Sequence, residues 1–156
     1  MVRQGKILVA TDFSEQSQEA LRKAMKLAHA FEGDIYLLHV MEPFMMYDMD
    51  NMMSVPVDDI SEVRRKGAHE QLEKQAESVR NGVTIYPRIV EDMRSPSKAI
   101  CEEAKDMNAD MIVIGRHGSG GFLEHLLIGS TVERVVRHAP CTVIVSHPHA
   151  VDEEES

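Results

Sequence analysis

The chain has 156 residues, 43% of them hydrophobic and 28% charged, with a formal net charge of −9. That length and balance fit one folded domain and exclude a disordered chain; no apolar run approaches the roughly 20 residues needed to cross a bilayer. The acidity, part of it from Asp152-Glu153-Glu154-Glu155, sets the overall field against nucleic-acid phosphates, so an anionic ligand has to be held by local groups.

The first residues run into a strand-like segment without a signal-peptide core, and both cysteines, Cys101 and Cys141, fall on buried-looking positions. The expectation is a cytoplasmic protein with reduced thiols.

The hydrophobic period then switches repeatedly between two and 3.6. Lys6-Ile7-Leu8-Val9-Ala10 reads as a strand buried on both faces, and Thr11-Asp12-Phe13-Ser14 as the turn after it, with Ser14 as N-cap. Ala20, Leu21, Ala24, Met25, Ala28 and Phe31 follow at helical spacing, ended by Gly33 in the left-handed position. Ile35 to Val40 is a second buried strand. From Met41 to Val57 the pattern is lost. Ile60, Val63, Gly67, Leu72, Ala76 and Val79 mark a long amphipathic helix, and Val83 to Val90 a third strand whose Pro87 favours a sheet edge. Ser95-Pro96 opens a helix carrying Ala99, Ile100 and Ala104. Ala109 to Ile114 is the fourth strand. Thr131, Val132, Val135 and Val136 share one face of a last helix, and Cys141 to Val145 is a fifth strand. Strands alternating with helices imply a parallel sheet with right-handed crossovers and helices on both faces: one doubly wound α/β domain over residues 1–146, with a polar tail from 147 to 156.

In such sheets ligands sit beyond the carboxyl ends of the strands, near the point where strand order reverses. Two groups follow strands there. One is Thr11-Asp12. The other runs from Gly115-Arg116-His117-Gly118-Ser119-Gly120-Gly121 to Gly129-Ser130-Thr131, at the start of the last helix. Glycines let the backbone approach a ligand closely, successive N–H groups make an anion-binding concavity, and a helix N-terminus favours a phosphate. Arg116 is always charged, and His117 can contact phosphate when protonated. A flexible surface loop with an ordinary cap is the alternative for these residues alone.

Ile-Leu-Val-Ala-Thr-Asp-Phe-Ser at 7–14, Leu-Leu-His-Val at 37–40 and Gly-Arg-His-Gly…Gly-Ser-Thr-Val-Glu-Arg-Val-Val-Arg-His-Ala-Pro-Cys-Thr-Val-Ile-Val at 115–145 together resemble the universal stress protein family. The resemblance covers nearly the whole chain. It implies a five-stranded parallel sheet in the order 3-2-1-4-5 and, in one branch of the family, a site for ATP or AMP. Carried over position by position, Ala10 and Val40 line the adenine pocket, with Thr11 beside them, and Asp12 meets the ribose or a phosphate-bound magnesium ion. Ile114, Gly115, Gly118, Gly129, Ser130 and Thr131 hold ribose and phosphates, largely through the backbone. It also implies a homodimer through the last strand, Thr142, Val143, Ile144 and Val145, which covers an edge otherwise prone to aggregation.

The ATP-binding branch spaces its glycines Gly-x2-Gly-x9-Gly-Ser/Thr, whereas ten residues separate Gly118 from Gly129 here. The extra residue either bulges out or displaces the cradle by about 3 Å, one residue's reach. Two functions therefore stay open: a stress-response regulator that binds an adenine nucleotide, at most a slow ATPase, and a homodimeric interaction module that has lost it. No Gly-Lys-Ser/Thr follows the glycines, and an adenylating pyrophosphatase is disfavoured because Ser119-Gly120-Gly121 follows the fourth strand and lacks the aspartate of that motif.

Met41, Met45, Met46, Met49, Met52 and Met53 crowd the patternless segment. Thioethers suit copper(I), but an adaptable lid over the cleft or a partner contact is the simpler expectation. His147-Pro148-His149 is expected to be solvated rather than a metal site.

Overall fold

The computed structural model describes residues 5–50, 53–117 and 128–147. The apolar run Lys6–Ala10 forms β1, and Leu8 and Val9 at its centre are fully buried. It pairs in parallel with β2 (Asp34–Met41) on one side and β6 (Met111–Gly115) on the other. β5 (Ile85–Glu91) continues the sheet beyond β2, and β7 (Thr142–Ser146) continues it beyond β6. The order β5-β2-β1-β6-β7 is the expected 3-2-1-4-5 once β3 and β4 are left out. Pro87 lies on edge strand β5, where its missing N–H costs no ladder bond on the outer side.

Two apolar layers cover the sheet. On one face α1 (Glu15–Phe31) and α2 (Asp58–Val79) pack Leu21, Met25, Leu72 and Ala76 against Ile7, Val9, Ile35 and Val113. On the other, α3 (Pro96–Asp106) and α4 (Ser130–His138) pack Ile100, Ala104, Val132 and Val135 against Leu8, Ala10, Ile112 and Ile114. Burying each large side chain contributes about 1.5–3 kcal/mol. Ser14 caps α1 by accepting from Ser17 N–H, and Ser95 caps α3 by accepting from Lys98 N–H, with Pro96 in the first turn.

The helices differ from the sequence pattern at their ends. Phe31, Ile60, Val63 and Val136 are exposed, because each helix projects past the sheet or turns that position outward. The left-handed residue after α1 is Glu32 (φ 50°), not Gly33. Gly33 is required for another reason: a Cβ there would stand 2.9 Å from the Gly5 carbonyl oxygen, where the chain enters β1. The methionine-rich segment is not patternless. Met45–Asp48 (β3) and Met53–Pro56 (β4) form a separate antiparallel hairpin, with Met46 and Met49 exposed. Met41 is buried at the end of β2. Among the described residues no helix is long and apolar enough to cross a membrane.

Candidate functional site

Strand order reverses between β1 and β6, so the crevice beyond their carboxyl ends is where this fold places ligands. The turn after β1 is built on Thr11. Its N–H donates to the Leu38 carbonyl at 2.9 Å, and its carbonyl accepts from His39 Nδ1 at 2.8 Å. Its hydroxyl donates to Gln75 Oε1 of α2 at 2.8 Å and accepts from Phe13 N–H at 3.1 Å. Ser17 Oγ lies 3.0 Å away and itself donates to the Ser14 carbonyl. Thr11 is 5% exposed, so all its polar groups serve the turn rather than the crevice.

Phe13 takes a left-handed conformation, φ 66°, which costs roughly 1–2 kcal/mol for a residue with a side chain. The Thr11 hydroxyl bond and the packing of its ring on His39, centroids 4.3 Å apart, hold it there. Asp12, between these two anchored residues, is exposed, and its Oδ1 accepts from Ser14 N–H at 3.0 Å.

The turn after β6 is joined to this one by Gln16, in the first turn of α1. Gln16 Oε1 accepts from His117 N–H at 3.0 Å, and the Gln16 carbonyl oxygen would stand 3.1 Å from a Cβ on Gly115. Glycine at 115 is therefore a packing requirement of the α1–β6 contact. Arg116 N–H donates to the Ser146 carbonyl at 3.1 Å, and Gly129 N–H donates to the Arg116 carbonyl at 3.0 Å. The second bond brings the start of α4 directly against the end of β6. Gly129 is the N-cap of α4 and offers no side-chain cap, leaving the helix end to its backbone N–H groups, flanked by the hydroxyls of Ser130 and Thr131.

The sequence-selected residues are thus distributed as follows. Ala10, Asp12, Ile114, Gly115, Arg116, His117, Gly129, Ser130 and Thr131 gather where β1 and β6 end and α4 begins. Val40 packs against the apolar layer that holds Ala10, Ile114 and Val132. Gly118, with Gly120 and Gly121, lies outside the described residues. Thr142 to Val145 lie on β7, whose outer side ends the sheet. Among the described residues no group of three or more His, Cys, Asp or Glu side chains could hold a metal ion.

A phosphate-bearing ligand fits what these residues offer. Arg116 Nε, His117 Nε2 and Ser146 Oγ are buried and have no hydrogen-bond partner among the described residues. Buried polar groups are rarely left so in a native fold unless an ion, a ligand or water completes them. Sequence reasoning missed Gln16, Ser17, His39 and Gln75, which shape both turns. The one local sign was a glutamine, Gln75, between Leu72 and Ala76 on the buried side of a helix.

The match to known proteins follows this architecture. A family model for the universal stress protein family covers residues 4–147. The chain is 34% identical over 145 residues to universal stress protein MJ0531 of Methanocaldococcus jannaschii, covering 90% of this chain and 80% of that one. In solved structures it is similar to universal stress protein UspA from Lactobacillus plantarum, at 25% identity and a TM-score of 0.69, over 94% of this chain and 100% of that one. Two more distant solved relatives share the fold. One is a universal stress protein in complex with cAMP (22% identical, TM-score 0.66, 92% of this chain and 97% of that one). The other, from Archaeoglobus fulgidus, is in complex with dAMP (19%, 0.61, 93% and 98%). With the sheet order, the three motifs and the match over residues 4–147 in agreement, the chain belongs to the universal stress protein family.

Proposed function

We propose that this protein binds an adenine nucleotide, ATP or AMP, in the crevice beyond β1 and β6, and acts as a stress-response regulator. The observation that carries the reading is the joining of three elements at one point. Gln16 ties the β6 turn to the α1 turn, and the Gly129–Arg116 bond sets the N-terminus of α4 beside both. Ala10 and Val40 would receive the base. Asp12 would meet the ribose or a magnesium ion bound to the phosphates, and Ser130, Thr131 and Arg116 would hold the phosphates. Arg116 Nε and His117 Nε2, without a partner among the described residues, support an anion there, as do the cAMP and dAMP complexes of two relatives. No Gly-Lys-Ser/Thr follows the glycines, so turnover faster than a slow ATPase is not proposed. The regulator would work as a homodimer, its β7 strands paired edge to edge.

The ten-residue interval between Gly118 and Gly129 favours the second reading, an interaction module without nucleotide. Thermal unfolding with ATP, AMP and cAMP, each with and without magnesium, separates the two. A ligand at 100 times its Kd stabilises by about 2.7 kcal/mol, a rise of roughly 5–10 °C for a chain of this size. Val40→Trp, which would fill the base pocket, should remove the rise. No shift at millimolar ATP, with no adenine extractable from purified protein, would establish the second reading. Light scattering on the eluting protein tests the dimer.

A further inference from the structure

A cavity of about 500 Å³ is lined by Ser95, Ser97, Lys98, Cys101, Glu102 and Lys105 of α3 and its N-cap, with Arg134 and His138 of α4 and Pro140 after it. That volume lies within the range of small-molecule sites. Its floor is apolar. Cys101 packs against the layer that holds Ile100, Ala104 and Val135, Pro140 lines the same space, and burial pushes the Cys101 thiol up, so it is neutral at pH 7. Its walls are cationic. Lys98 and Lys105 are seven residues apart on α3, about 10 Å along the helix axis. Arg134 and His138, four residues apart on α4, face the same space. Among the described residues Lys98, Lys105 and Arg134 are in no ion pair within 4 Å of a carboxylate, unlike Arg22, Arg65, Arg88, Arg94 and Arg137. The one carboxylate in the lining, Glu102, is already held in two bonds by Arg94, at 2.8 and 3.1 Å. In a chain of net charge −9, two lysines and an arginine thus line one cavity.

We propose that this groove is a second ligand site, for a small amphipathic organic anion. Its apolar or aromatic body lies on Cys101, Pro140 and the lysine stems, and its acidic group is held by Lys98, Arg134 and Lys105. A purely inorganic anion would leave the floor unused, and a neutral hydrophobe would leave the cations unmet. The site does not depend on the nucleotide reading, since none of its lining residues belongs to the crevice.

The test uses two fluorescent probes with one aromatic body. These are 8-anilinonaphthalene-1-sulfonate and its uncharged counterpart N-phenyl-1-naphthylamine, each titrated into the full chain without nucleotide. The sulfonate should bind about tenfold more tightly than the neutral probe, and Lys98→Gln with Arg134→Gln should remove that advantage. In a Cys141→Ser protein the sulfonate should slow disulfide exchange at Cys101 with an aromatic disulfide by about fivefold at saturation. Lys26→Gln with Lys74→Gln, on the exposed sides of α1 and α2 across the sheet, serves as the charge-matched control and should change nothing. Equal binding of the two probes, or sulfonate binding that survives the double substitution within about twofold, would overturn the proposal. So would unprotected Cys101.

Discussion

The Thr11 hydroxyl donates to Gln75 Oε1 at 2.8 Å, joining the end of the first strand to the C-terminal part of α2 across 64 residues. Thr11→Val keeps the shape and removes the hydroxyl, leaving the buried Gln75 carbonyl and the Phe13 N–H without their partner. The expected loss is about 1–3 kcal/mol in denaturant unfolding. The same change should weaken nucleotide binding, because Phe13 loses the bond that holds its left-handed backbone and Asp12 shifts with it. Gln75→Leu should reproduce the stability loss with a smaller effect on binding, since the Phe13 bond remains.

Gly115→Ala tests the α1–β6 contact. The new methyl would stand 3.1 Å from the Gln16 carbonyl oxygen and 3.2 Å from its carbon, both backbone atoms. The start of α1 must then give by a few tenths of an ångström, at a cost of about 1–3 kcal/mol. The bond from His117 N–H to Gln16 should loosen, read as faster amide exchange at His117.

Glu32→Gly is expected to stabilise. Glu32 is exposed and sits at φ 50°, ψ 44°, where glycine carries no Cβ penalty. A gain of about 0.5–1 kcal/mol should appear as a melting temperature higher by roughly 1–4 °C.

Asp92, just beyond β5, is held below its ordinary carboxylate range, first by hydrogen bonds from the Arg94 guanidinium and backbone N–H. Its folded-state value is lower than its unfolded one. Its stabilising contribution is therefore complete above about pH 4 and disappears as pH falls through the lower folded value. Asp92→Asn should flatten the loss of stability between about pH 4 and pH 2 and lower stability at pH 7, measured by urea unfolding across that series.

Both thiols are raised by burial, Cys141 also by its neighbours Cys101 and Asp110. Alkylation of the native protein should be slower than that of a free thiol at pH 7.5, and should accelerate only well above pH 9.

Much of the architecture could be read from the chain alone. The nearly continuous apolar runs at 7–10, 35–40 and 111–114 belong to strands buried on both faces, and the helical spacing between them requires crossover connections. Pro87 marked an edge strand, and Ser14 and Ser95 marked helix starts. Placement after strands was enough to select Asp12, Gly115 and Gly129. The hairpin at Met45–Pro56 was not legible, because a short two-stranded ribbon outside the main sheet need not show alternating burial.

What the sequence by itself determined is the order of buried and exposed segments, and with it the sheet and the strand ends where a ligand site belongs. Only the tertiary structure decided how the glycine-rich turn is held. Gln16 meets Gly115 and His117, Gln75 and His39 meet Thr11, and Gly33 meets Gly5, in each case between elements distant in the chain or across a close backbone approach. Hydrophobic periodicity records which face of an element is buried, but not which polar group on the next element waits there. The glycine at 115 therefore reads locally as freedom for a loop, and in the fold as room for the carbonyl of Gln16.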